Sequence, residues 1–491
     1  MSAGASRSSS AMASLTYWIG AALLGATIIC GLIEPVATLW RLVPLDPNEG
    51  WNAFFTQIAM RGGELYPAPG SAIVNNYPPL SFYIVGPLGR MLGDNIIAGR
   101  VVALASMLLV AVNVYLWLRA AGSPSRIAWL GAGLFAAFAV TYARSYAGMD
   151  DPQWLAHAIM TTGLVVLWRG NASARAIALG ALLIQAGGWT KHLLIPLPIA
   201  ITWWLLRRSR AAFWTWIAWS VLLLAAIGVW VWWLYGTAFF DGLLSTREYS
   251  LHQAIKETRR ALYGFTPIIA LSLLLLPMAR GSEPREFAVA YVIGAAAVAA
   301  AAAGGSGVDI NAFFDLMIAA SLCTALAVES LWRLRLPGSL RESEVGPALA
   351  LLLGIYLSVY AVRLWPETLR DLRGLDALEQ ETLAATRLIA DRGGGRSACE
   401  EPELCYWAKN AFMLDFFNYG QRLKLGRQPV TPCASILDGR YIPLIQLNPK
   451  HGHKPGFLPQ SCVTLIEQNY RPVSVSPLGV ILAAAQPANP P

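Results

Sequence analysis

Apolar runs too long for a helix inside a soluble domain recur along most of this chain, and they constrain its fold more than any other feature. The first, residues 13–32, carries no charged side chain. Ten more follow at 97–118, 127–142, 154–168, 176–189, 193–206, 213–235, 267–278, 287–303, 316–332 and 347–360. Several fall short of the roughly 20 residues that a bilayer asks for, and the pair flanking Gly187 and Lys191 has the least length to support it. The composition agrees: 56% of residues are hydrophobic, 13% are charged and the mean hydropathy is +0.48. Soluble domains run nearer a quarter charged, so a soluble multidomain enzyme is excluded. The chain reads as an all-α polytopic membrane protein with about eleven transmembrane helices.

A Ser-rich arm with Arg7 precedes the first run, which outgrows a signal-peptide core and ends in no small-x-small cleavage site. It therefore reads as an uncleaved anchor with a cytoplasmic N-terminus. Eleven crossings then place Arg119 with Arg126, Arg169 with Arg175, Arg207 with Arg208 and Arg210, Arg280 with Arg285, and Arg333 with Arg335 and Arg341 on the inside. Every short inner loop is basic, as the positive-inside rule asks, and omitting one span would invert half of the pattern. The net charge of +8 is thus a matter of topology and does not point to nucleic acid.

Three segments fall outside: a first loop over residues 34–95, a third over 236–265, and the tail after residue 361. The tail loses the apolar runs and is long enough to fold by itself. We divide the chain into a membrane module, 1–364, and a small extracytoplasmic α/β domain, 365–491. Cys399, Cys405, Cys433 and Cys462 lie in that domain, whereas Cys30 and Cys323 lie in spans. Four cysteines in an oxidising compartment allow two disulfides in three connectivities, of which we favour the one with Cys399 and Cys405 as a local pair. No Cys-x-x-Cys spacing supports zinc.

The first outer loop opens with Asp46-Pro47-Asn48-Glu49-Gly50-Trp51. Asp46 suits a helix N-cap, Pro47 the first helical position and Glu49 a capping box, so capping alone accounts for both acids. A carboxylate fixed at a helix start beside the membrane also suits a general base. Turn signals follow at Gly62-Gly63-Glu64-Leu65-Tyr66-Pro67 and Asn75-Asn76-Tyr77-Pro78-Pro79-Leu80, and residues 78–92 are apolar yet too short to cross, so they lie at the interface. Asp150 and Asp151 precede Pro152 in the second outer loop, where Asp151 is again a good cap. Lys191, His192, Arg247, Lys256, Arg259 and Arg260 are cations on the outer side, against the topology rule. Glu248 and Glu257 offer them ion pairs; a phosphate held at the membrane surface is the alternative. Gly304-Gly305-Ser306-Gly307-Val308-Asp309-Ile310-Asn311 closes a loop between two spans or lets backbone approach a ligand.

The order of these elements, an acidic motif, a Gly-x-Leu-Tyr-Pro-like turn, a Tyr-Pro-Pro-Leu segment and Gly99-Arg100 opening the next span, resembles the C-type superfamily of membrane glycosyltransferases. Within it the likeness is to the branch of protein O-mannosyltransferases and the lipid A aminoarabinose transferase. It covers about the first 200 residues and returns at residues 304–315. The resemblance implies transfer of a sugar from a polyprenyl-phosphate donor to a lipid, glycan or protein acceptor, inverting or retaining with inversion favoured, at the outer face of what is expected to be a bacterial inner membrane. It implies a base in the first outer loop, Asp46 ahead of Glu49 because its place at the loop end fits the family base; the adjacent Asp-Glu of that family is here separated by Pro47 and Asn48. It further implies a second acidic site at Asp150 and Asp151 for the acceptor or a divalent metal, with substrate-lining roles for Tyr77 and Asn311. The Lys that the lipid A enzymes place before the later Pro is missing, so phosphate falls to Lys191 and the Arg cluster. No cofactor is firmly implied. A transporter or flippase of an anionic lipid is the alternative, although the spans hold few ionisable residues.

Overall fold

The computed structural model describes residues 2–245, 247–333, 344–427, 431–437, 441–448 and 456–485. Arg335 and Arg341 of the last inner loop lie outside the described residues. Each expected span is a helix: α1 (Ser2–Thr38), then, after the loop helices α2 (Pro47–Arg61) and α3 (Leu80–Leu92), α4 (Asn95–Ala120), α5 (Ser125–Tyr142), α6 (Gln153–Arg169), α7 (Ala174–Gly188), α8 (Pro196–Arg208), α9 (Arg210–Leu243), α10 (Leu251–Leu275), α11 (Glu283–Ala302), α12 (Phe314–Trp332) and α13 (Val345–Arg392). Among the described residues eight of these are long and apolar enough to cross a bilayer. The other three, α6, α7 and α8, have 17, 15 and 13 residues.

Burial sorts the helices by position. Nearly every side chain of α12 is buried, which is the property of a helix apolar on all sides at the centre of a bundle. At the rim, α9 exposes Trp214, Trp230, Trp232 and Trp233 and bends at Gly236, whose φ of 62° suits a residue without a Cβ. The short α3 keeps to the outer loop, as its length requires. With 48 residues, α13 rises about 72 Å, more than twice a hydrocarbon core. It carries the chain out of the bundle without a break, and the expected domain boundary at 364/365 falls inside it.

Beyond α13 come β1 (Ala398–Cys399), α14 (Pro402–Trp407), α15 (Phe416–Lys424), α16 (Thr431–Ile436), β2 (Leu444–Leu447), α17 (Gln460–Asn469), β3 (Tyr470–Ser476) and β4 (Gly479–Ala484). The strands form one sheet in the order β1-β2-β4-β3, with β1 parallel to β2 and the other pairs antiparallel. Cys399 is bonded to Cys405, the local pair expected, and Cys433 to Cys462.

This domain is seated on the first outer loop. Phe412 stacks on Phe54 at 4.8 Å between ring centres, and the Trp407 indole donates to Asp94 at 3.0 Å. Closest of all is Gly50 on α2: a Cβ there would lie 2.2 Å from the backbone nitrogen of Glu403 and 2.5 Å from the carbonyl carbon of Pro402. Neither backbone atom can yield as a side chain would. Gly50→Ala is therefore expected to loosen α14 from α2 and to cost about 1–3 kcal/mol, as overpacking does. Limited proteolysis between residues 393 and 415, faster in the variant than in the wild type, checks this.

Candidate active site

The head of α2 is built as the sequence predicts at Asp46 and Pro47, whereas among the described residues the Glu49 side chain makes no capping-box bond. Asp46 is its N-cap, with extended backbone, and Pro47 follows at the first helical position. The Asp46 carboxylate accepts from the Asn48 backbone N–H at 2.9 Å and from Asn48 Nδ2 at 2.7 Å. Both bonds fall on Oδ1, and among the described residues Oδ2 has no donor. Burial pushes this carboxyl up to about 6; the Asn48 bonds oppose that rise, and the charges of Glu49 and Asp151 add to it. A group so placed exchanges a proton near neutral pH.

Glu49 has a different environment. It is fully buried against an equally buried Arg100, which α4 presents from its second turn. Arg100 Nε donates to Glu49 Oε1 at 2.8 Å and Nη2 to Oε2 at 2.5 Å. The remaining donors reach the carbonyls of Thr38, Arg41 and Val43 at 2.9, 2.9 and 2.6 Å. All five guanidinium N–H groups are thereby used. The backbone N–H of Asp150 also donates to Glu49 Oε1, at 3.0 Å. One ion pair thus ties together the exit of α1, the start of α2, α4 and the second outer loop.

Asp150 and Asp151 part company as well. Asp150 points inward, so close to α4 that a Cβ on Gly99 would lie 1.9 Å from its carboxyl. Among the described residues its Oδ2 has no partner, and with the equally unpartnered Asn52 Oδ1 and Ser81 Oγ it lines one small cavity. Burial, reinforced by Glu49 and Asp151, holds the Asp150 carboxyl well above the usual carboxylate range. Asp151 accepts from the Gln153 backbone N–H at 2.8 Å and pairs with Lys191 Nζ at 3.3 Å.

Lys191 lies in the tight turn between α7 and α8, with its ammonium 3.6 Å from the centre of the Tyr77 ring. Trp51 meets the same ring edge-on at 4.8 Å. His192 packs beside Tyr77. Burial, then the charges of Lys191 and Arg247, push its imidazole down to about 4, so it is neutral at pH 7. Arg247 donates to the Ser306 carbonyl at 3.4 Å and lies over the Phe417 ring. The Asn311 carbonyl accepts from Gln153 Nε2 at 2.9 Å, which joins the Gly-rich turn to the loop of Asp151.

The structure therefore gathers Asp46, Asp151, Tyr77, Lys191, His192 and Arg247 into one region, with Asn311 at its edge. It does not bring Lys256, Arg259 and Arg260 there. These stand on the exposed face of α10, where Lys256 and Arg260 approach Glu257 at 3.8 and 3.5 Å and Arg260 approaches Asp309 at 3.3 Å. Among the described residues no three of His, Cys, Asp and Glu are arranged to hold a metal ion.

Sequence reasoning assigned no role to three groups beside the site. The buried Asp415 caps α15 and accepts from Trp51 Nε1 at 3.0 Å, while Asn418 of the same helix takes a bond from Asn76 at 3.2 Å. Among the described residues the buried Glu403 has no donor to either oxygen, and burial with the nearby Glu401 and Glu49 holds it well above the carboxylate range. Tyr146 is buried within the electrostatic reach of Asp151, Asp309 and Asp46. The cap pattern at Asp415 was visible; its neighbour 364 residues away was not.

No family model matches the chain, and no curated protein does. Solved structures do. ArnT from Cupriavidus metallidurans in the apo state has a TM-score of 0.63 at 13% identity, over 97% of this chain and 100% of that one. The same protein bound to undecaprenyl phosphate scores 0.61 at 14% identity, over 96% and 98%. The oligosaccharyltransferase of Archaeoglobus fulgidus in the apo form scores 0.56 at 14% identity, over 96% of this chain and 75% of that one. Likeness at this identity concerns the path of the chain, and that path is shared over nearly its whole length: the protein has the polytopic fold seen in ArnT and in the Archaeoglobus fulgidus oligosaccharyltransferase.

Proposed function

We propose that this protein is an integral membrane glycosyltransferase that moves one sugar from a polyprenyl-phosphate donor to a hydroxyl of a lipid, glycan or protein acceptor. The transfer takes place on the side of the membrane that carries the C-terminal domain. The observation that carries the reading is the division between the two acids of α2. Glu49 is consumed by Arg100, whereas Asp46 keeps one oxygen free at a carboxyl poised near pH 6. The likeness in fold to ArnT, which was solved with undecaprenyl phosphate, supports the donor class.

In this mechanism the acceptor hydroxyl loses its proton to Asp46 Oδ2 as its oxygen bonds to the anomeric carbon. The bond from that carbon to the phosphate oxygen breaks, and the polyprenyl phosphate leaves with the electron pair. Attack opposite the leaving group inverts the anomeric centre. Lys191 and Arg247 take the phosphate charge, Lys as a point charge and Arg as a fork. Tyr77 and Asp151 hold the Lys191 ammonium in place, and His192 lines the same wall as a neutral group.

The test is transfer of radiolabelled sugar from a panel of polyprenyl-phosphate sugars by purified protein in defined lipid. One donor is expected to be consumed into a heavier product. A substrate that crosses the membrane unjoined to anything would replace this reading with a transporter. The pH profile adds a second check. Asp46 must be ionised to accept a proton, so kcat/KM is expected to be full above pH 7 and to fall tenfold per unit well below about 6. A profile flat from pH 5 to 8 would count against Asp46 as the base.

A further inference from the structure

The basic residues of α10 form a surface of their own. The buried side of this helix, Ala254, Ala261, Gly264, Phe265 and Ile268, packs into the bundle. Its outward stripe alternates apolar and basic groups: Ile255 and Tyr263 are 60% and 79% exposed, the Lys256 side chain is 70% exposed, and Arg259 is exposed between them. The level of these residues is set by length. From Ala261 to Met278 the helical run carries no charged residue and rises about 27 Å, close to the roughly 30 Å of a hydrocarbon core. With that run in the core, Lys256, Arg259 and Arg260 stand one turn outside it, in the layer of lipid phosphates, on the side of the C-terminal domain.

Ion pairing within the protein does not use up this charge. Glu257 and Asp309 face Arg260, and Glu257 also faces Lys256, but among the described residues Arg259 has no carboxylate within ion-pair distance. Three cations meet two acids. The exposed apolar residues on their core side, Leu262 and Tyr263, suit acyl chains, as on helices that bury one face at an interface. This stripe is also separate from Lys191 and Arg247, which face inward across Tyr77 and Phe417.

We propose that the outward stripe of α10 docks the phosphate headgroup of an anionic phospholipid of the surrounding leaflet. The acyl chains lie along Leu262 and Tyr263, on the core side of the cations, and the phosphate meets Lys256 and Arg259. The charge complementarity and the level in the bilayer select a lipid over a soluble anion, which would not use the apolar half of the stripe. The proposal holds whether or not the protein transfers sugar, and its test contains no sugar donor.

Purified protein is offered equal amounts of phosphatidylglycerol and phosphatidylcholine in mixed micelles, and retained lipid is counted by native mass spectrometry. Phosphatidylglycerol is expected to be retained in preference. Each basic residue near an anionic headgroup is worth about fivefold in affinity, so Arg259→Gln is expected to reduce the preference by about that factor. Lys256→Gln, Arg259→Gln and Arg260→Gln together are expected to abolish it, and Lys424→Gln, an exposed cation on α15, to leave it intact. Arg259→Gln disturbs no ion pair, so it decides the matter if the triple variant misfolds. A preference unchanged in Arg259→Gln overturns the proposal. So does equal retention of the two lipids by the wild type, displacement of the lipid by inorganic phosphate, or a protein dimer found in place of bound lipid.

Discussion

Asp46→Asn is expected to lower the rate of sugar transfer by about 10²–10⁴-fold, the usual contribution of a positioned general base, with the protein still fully folded. The second half of that statement gives the experiment its force. Asn is as good an N-cap as Asp, and its side-chain oxygen can accept the bond from the Asn48 backbone N–H that Asp46 now accepts. The helix start is kept while the proton acceptor is lost. The loss should appear in kcat, with KM for the donor little changed, because the proposed mechanism assigns the phosphate to Lys191 and Arg247. Circular dichroism and the thermal midpoint should match the wild type. A variant that keeps its rate would remove Asp46 from the chemistry.

Glu49→Gln is expected to fail in the opposite way. It leaves the Arg100 guanidinium buried with its counter-ion gone, and breaking one half of a buried pair costs about 3–5 kcal/mol. The three carbonyl bonds to Arg100 would remain, but around an uncompensated charge. Yield and thermal midpoint should fall together, and whatever folds should retain a transfer rate per molecule close to normal. Replacing both partners, Glu49→Leu with Arg100→Met, should regain much of the stability, since an apolar pair of similar volume often serves as well as a buried ion pair. If Glu49→Gln instead keeps its midpoint and loses its rate, the two acids exchange roles.

The helices were legible in the sequence because a bilayer imposes a length that apolar runs record directly, and all eleven expected spans are helices. Capping at Asp46 was legible for a similar reason: it depends on residues 46–49 alone. What lies beyond a few residues was not. That Glu49 rather than Asp46 would be held in an ion pair follows from Arg100, which Gly99-Arg100 marks as a motif without saying what the guanidinium meets. Lys256, Arg259 and Arg260 were grouped with Lys191 by the side of the membrane they share; the rotation of α10 about its axis divides them, and side of membrane carries no information about helix face. The boundary at residue 365 followed a drop in hydropathy, but a helix does not end where it leaves the membrane, and α13 goes on to Arg392.

Trp51 and Asp415 are 364 residues apart, and this separation orders the biosynthesis of the protein. The wall of the site that α14 and α15 supply is made after every one of the described membrane helices. At about 5–20 residues per second, α2 waits roughly 20–70 seconds for Asp415 to be made. Cys399 and Cys405 must then find an oxidant before that wall is pinned. A nascent chain with every described membrane helix already made therefore still lacks one wall of the proposed site, which closes only after the Cys399–Cys405 disulfide has formed and α14 and α15 are seated.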